Sequence, residues 1–99
     1  GPAPAATAAA GITGAWPNPF RASVGVRFEL AAPGRATLGV YDVRGRRVAE
    51  LAAGALPAGS HRVLWDGSDA SGGRVAAGVY FVRLDAEGGT WTHKVLRLR

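Results

Sequence analysis

The chain has 99 residues, no cysteine and a net charge of +5, with 47% hydrophobic residues. That is one domain with enough apolar surface for a packed core, and without cysteine it holds no disulfide framework and no thiolate metal site. No apolar run approaches the roughly 20 residues of a membrane span, and fifteen glycines and six prolines favour many tight turns over helices.

Gly1 to Ala15 is rich in Ala, Gly, Pro and Thr, and its composition predicts a flexible linker. Its opening lacks the basic head and apolar run of a signal peptide. Gly1-Pro2 reads as the scar of a cleaved tag, which makes the chain an expected piece of a longer protein. The domain itself is expected over 16–99. Its entrance is Trp16-Pro17-Asn18-Pro19-Phe20, where two prolines hold the backbone extended, and Trp16 and Phe20 are expected to pin the segment to a sandwich edge.

From Val24 to Leu30 apolar residues alternate with Gly25, Arg27 and Glu29, the pattern of a half-buried strand. A turn at Ala32-Pro33-Gly34 leads to a second strand over Ala36–Val43. Asp42 to Arg46 supplies a hairpin turn with Gly45 at positive φ. A short edge strand is expected over Arg47–Leu51, then a turn through Leu56-Pro57-Ala58-Gly59. Ser60–Asp66 follows, with His61, Val63 and Trp65 on one face. After the Gly-rich stretch from Gly67 to Gly73, Arg74–Ala76 reads as a short pairing segment. Val79–Asp85 and Thr90–Leu98 are the last strands, joined at Glu87-Gly88-Gly89. Turn signals every 8 to 14 residues with no helical period predict an all-β, immunoglobulin-like (fibronectin III-like) antiparallel sandwich of about seven strands.

Little in the chain reads as catalytic or cofactor chemistry. Asp66, Asp69 and the neighbouring serines depart from a calcium-loop spacing, and the plainer role of the two carboxylates is to bind backbone N–H groups in a turn. His61 and His93 have no partner at metal-ligand spacing, and Ser60 points away from His61 across the strand. The seven carboxylates have no expected cleft across which a glycosidase pair would face. Eleven arginines against one lysine are spread along the chain, a solvated-face pattern rather than a nucleic-acid stripe. Trp65 reads as core. Trp91 reads as partly exposed, the one candidate for stacking on a sugar ring. No enzyme activity, metal or cofactor is expected.

The ordered set PNPF, a V-x-F-x-L strand, V-Y-D-V-x-G-R-x-V, L-P-A-G, W-D-G, G-x-x-V-A-x-G-V-Y and a late K-V-L carries a resemblance over Pro17 to Arg99. It resembles the C-terminal immunoglobulin-like domains of secreted bacterial proteins, related to the FlgD-type domain of the flagellar hook-capping protein and to the type A sorting domains of type IX secretion. The resemblance implies a non-catalytic C-terminal module of a larger exported protein, reaching the cell surface or medium through the periplasm. Implied partners are secretion-machinery proteins of the periplasm and outer membrane and an upstream cargo domain, with no nucleic acid and no membrane span. The matching positions are Pro17, Asn18, Pro19 and Phe20 at the entrance, Gly78 and Tyr80 in the G-x-Y element, and Lys94, Val95, Leu96, Arg97, Leu98 and Arg99 in the tail. Gly78 also suits a sharp turn into a strand, and Tyr80 a buried ring with a bonded hydroxyl. A hook-capping type of structural interaction domain and a carbohydrate-binding accessory module are the alternatives.

Overall fold

A computed structural model describes residues 10–99. It contains seven strands: β1 Gly11–Trp16, β2 Val24–Leu30, β3 Gly34–Tyr41, β4 Arg47–Leu56, β5 Gly59–Trp65, β6 Gly78–Ala86 and β7 Gly89–Arg97. Two antiparallel sheets pack face to face, one with the order β1-β2-β5 and the other β4-β3-β6-β7. This is the immunoglobulin-like sandwich expected from the turn spacing.

Period-two patterning explains the layers. In β2 the side chains of Val24, Val26, Phe28 and Leu30 enter the core, as do Ala36, Leu38 and Val40 in β3 and Tyr80, Val82 and Leu84 in β6. Two sheets closing on one another exclude water from these rows, the main favourable term in a domain of this size. Gly45 takes φ +83° where Asp42 to Arg46 turns the chain, as the hairpin signal required.

Three expectations are corrected. Residues 11–15, expected within the 1–15 linker, belong instead to β1, pairing from Gly11↔Glu29 to Trp16↔Gly25; residues 1–9 lie outside the described residues. β1 interleaves Ile12, Thr13 and Trp16 with Gly11, Gly14 and Ala15, which break its pattern, and its warrant is the free edge of β2, whose backbone groups need a partner. The short pairing segment expected over 74–76 is present, as the bridge Ser68↔Arg74 with the Val75 N–H donating to the Gly67 carbonyl at 2.8 Å. β4 runs on to Leu56 as an edge strand, five residues past the expected end, following β3 through two register shifts. β3 in turn stops at Tyr41, leaving Val43 exposed in the turn.

Truncation in front of Trp16 removes β1 and uncovers Ile12's packing partners and the edge of β2. The truncated protein is expected to unfold at lower urea than the whole chain, and equal midpoints would show β1 to be a passive addition.

Candidate functional site

One end of the sandwich gathers the residues singled out by the sequence. Phe20 leaves the entrance segment and buries its ring, 1% exposed, between the sheets. Its centroid lies 5.5 Å from that of Trp65 at the end of β5, and Trp65 in turn meets Tyr80 of β6 edge-on at 5.4 Å. These tilted contacts are the favoured aromatic geometry, and they join the two sheets to the entrance. The polar ends of the rings are also satisfied: Trp65 Nε1 donates to the Ser68 carbonyl at 2.9 Å, and the Tyr80 hydroxyl to the Ala76 carbonyl at 2.6 Å. Burial pushes the Tyr80 phenol above its ordinary value, against the opposing pull of the Arg97 charge.

The entrance also closes the outer edge of β7. Asn18 Nδ2 donates to the Lys94 carbonyl at 3.0 Å, and Asn18 Oδ1 accepts from the Leu96 N–H at 2.9 Å. Two residues later, Phe20 N–H donates to the Leu96 carbonyl at 2.9 Å and the Phe20 carbonyl accepts from Leu98 N–H at 2.7 Å. The Asn18 carboxamide therefore does what a peptide group does in a ladder, and Phe20 continues the pairing as a parallel bridge to Arg97. Pro17 and Pro19 lack N–H donors, which leaves the Asn18 side chain to supply the bond.

Gly78 and Tyr80 stand opposite Arg97 and Val95 in the β6–β7 ladder, so the G-x-Y element, the entrance and the tail form one continuous structure. Their side chains have different surroundings. Val95 is wholly buried, Leu96, Arg97 and Leu98 are half-buried, and Lys94 and Arg99 are exposed beside exposed Pro17, Asn18 and Pro19. Gly78 has φ +149°, a value that strains a side-chain-bearing residue.

Several contributors carried no sequence signal. Arg74 Nη2 reaches back to the Arg21 carbonyl at 3.0 Å and also lies 3.4 Å from that of Ala22, while Arg21 Nη1 donates to the Arg99 carbonyl. The stem of Arg97 crosses the bare backbone of Gly67, where a Cβ would come within 3.0 Å of its Nε. The Gly at the end of W-D-G thus serves close packing as well as the turn, at φ +78°. Trp16, expected to pin the entrance, is instead 77% exposed. Phe20 alone is the buried anchor, because β1 ends with the Trp16 side chain on the outer face of its sheet.

The turn after Trp65 is held by its two aspartates. Asp66 Oδ1 accepts from the Ser68 N–H at 3.0 Å, and Asp69 Oδ1 accepts from Ser71 N–H at 3.0 Å and Gly73 N–H at 3.1 Å. Hydrogen bonds from the Ser68 and Ser71 hydroxyls, then from these amides, hold both carboxyls below the ordinary aspartate value of 3.8. No group of three or more potential metal ligands comes together among the described residues.

The fold and this closed end define an immunoglobulin-like domain whose entry segment is laced to its final strand. The family model for the FlgD Ig-like domain matches residues 20–90, and the chain belongs to that family. FlgD of P. aeruginosa is 26% identical with a TM-score of 0.60, over 75% of this chain and 60% of that one. Latent PorU of Porphyromonas gingivalis superposes with a TM-score of 0.70 at 21% identity, over 88% of this chain and 9% of that one. PorZ of the same organism, described as an essential bacterial surface component of the type IX secretion system, gives 0.58 at 21% identity over 89% and 11%. This chain thus spans a small part of PorU and PorZ and about three-fifths of FlgD. No curated protein sequence matches it.

Two outcomes are expected. Asn18→Ala removes both carboxamide bonds to β7 and lowers stability by about 1–2 kcal/mol in urea titration; an unchanged midpoint would show the lacing to be energetically idle. Because Asp66 and Asp69 have lowered folded values, their contribution is present above the unfolded value and lost as pH falls through the folded one. The melting temperature should be flat above about pH 5 and drop below about pH 4, less steeply in Asp69→Asn.

Proposed function

We propose that this domain is a non-catalytic sorting and surface-attachment module of a larger exported bacterial protein, read by type IX secretion machinery at the end where entrance meets tail. The observation that carries the reading is the lacing of Asn18 and Phe20 onto Lys94–Leu98. It occupies the β7 edge, so a partner meets a preformed face of side chains instead of an open strand. Pro17, Asn18, Pro19, Lys94 and Arg99 supply that face's exposed part, while Phe20, Tyr80 and Val95 hold it from beneath. Gly78, Leu96, Arg97 and Leu98 shape the strand ends between them.

Support also comes from coverage. The likeness to PorU and PorZ takes in 88% and 89% of the chain, against 75% for FlgD of P. aeruginosa. The domain's partners on this reading are periplasmic and outer-membrane secretion proteins and its own cargo, and its destination is the cell surface or medium. A second reading, a structural interaction domain of the hook-capping type, is favoured by the FlgD family match itself.

The test is export of a fluorescent reporter placed between a signal peptide and this domain in a type IX-competent bacterium, beside that host's own sorting domain. Export of both, with loss of ours on Lys94→Glu, supports sorting. Periplasmic retention of ours while the host's domain exports supports the structural reading. Point changes are preferable to deleting the tail, since deletion removes buried Val95 and unfolds β7.

A further inference from the structure

The outer face of the three-stranded sheet carries a second feature, made of residues that take no part in the lacing of β7. Pairing places Trp16, Gly25 and Leu64 in one row across β1, β2 and β5, and Gly14, Arg27 and Arg62 in the next. Alternation sends Val24, Val26 and Phe28 inward, so Gly25 and Arg27 face out. Gly25 is nevertheless covered, because the Arg62 guanidinium lies across it: a Cβ there would sit 3.1 Å from Nε and 3.2 Å from Nη2. The result is a trough lined by Thr13, Trp16, Gly25, Arg27 and Arg62.

Its chemistry is specific. The Trp16 indole is 77% exposed, whereas Trp65, the structural indole, is 2% exposed. Arg46, Arg47 and Arg83 each pair with a carboxylate, but among the described residues Arg27 and Arg62 form no ion pair. In the row beyond them stands Glu29, whose carboxylate accepts from the Ser60 hydroxyl. An apolar ring beside two unpaired guanidinium forks suits a flat, partly apolar ligand with one carboxylate. The acid next door ends the positive field after a single anionic group, which disfavours a nucleic-acid backbone tracking through.

We infer that this trough binds an acidic saccharide, with a uronate pyranose stacked on Trp16 and its carboxylate held by Arg62 and Arg27. The inference does not rest on the sorting reading, since the trough uses neither Asn18 nor the tail.

The test is titration of the protein with trigalacturonate, triguluronate and an unsulfated chondroitin tetrasaccharide, followed by calorimetry, which reads the wild type and every variant alike. A neutral galactose trisaccharide and single-stranded oligothymidylate serve as comparators. Saturable binding of at least one uronate, at millimolar dissociation constant or tighter, is expected, with affinity about tenfold lower for the neutral sugar and for Trp16→Ala and Arg62→Ala. Trp91→Phe should bind as the wild type does. Both trough residues are exposed, so the variants retain the fold, checked by urea midpoint. Absence of saturation with every uronate at about 10 mM, unaltered binding by Trp16→Ala, or tighter binding of the oligonucleotide would overturn the inference.

Discussion

The final strand of a sandwich has one edge with no neighbour, and everything at this end of the molecule follows from how that edge is closed. Four hydrogen bonds, two donated and two accepted by Asn18 and Phe20, join them to the backbone of Lys94, Leu96 and Leu98. An unpaired edge strand invites pairing with another chain, and a segment fixed across it removes that hazard. The same segment delivers Phe20 into contact with Trp65, which meets Tyr80 from the other sheet. Edge closure and inter-sheet packing are therefore one interaction. The loop after Trp65 is stiffened by Asp66 and Asp69, and Arg97 packs over Gly67 within it. A change at the entrance is felt in the tail because the same residues serve both.

Much of the fold was legible because two-residue alternation and turn chemistry are local. β2, β5, β6 and β7 lie within a residue or two of their expected bounds, and the turns at Asp42–Arg46 and Leu56–Gly59 fall where Gly and Pro announced them. β1 was illegible because Gly-Ile-Thr-Gly-Ala has no alternation of its own, and a neighbour's need for a partner cannot be read from the neighbour. The extra length of β4 was hidden in the same way by Ala-Ala-Gly-Ala.

The candidate site was legible as positions and illegible as geometry. The PNPF motif marked an entrance, yet nothing local says that an asparagine side chain will act as a peptide group for a strand 76 residues away. Trp16 and Phe20 looked alike from sequence, two aromatics flanking prolines, and the structure separates them into a surface platform and a core anchor. Arg27 and Arg62 read as solvated strand residues, and only the register that places them beside Gly25 and Trp16 gives them a shared surface. The two surfaces adjoin at Trp16-Pro17: the β7 edge is closed by hydrogen bonds, and the neighbouring sheet face is open with unpaired positive charge. The fold itself stands in proteins as different as FlgD and PorU, so function is set by such surfaces and not by the sandwich.

The central claim is that entrance and tail open and close as one unit. Native-state hydrogen exchange of the Phe20, Leu96 and Leu98 amides tests it most directly, since each donates in the laced edge. The account predicts one shared opening free energy with the same denaturant dependence for all three. Rapid exchange at Phe20 with continued protection at Leu96 and Leu98 would mean that the entrance frays alone, and would contradict it.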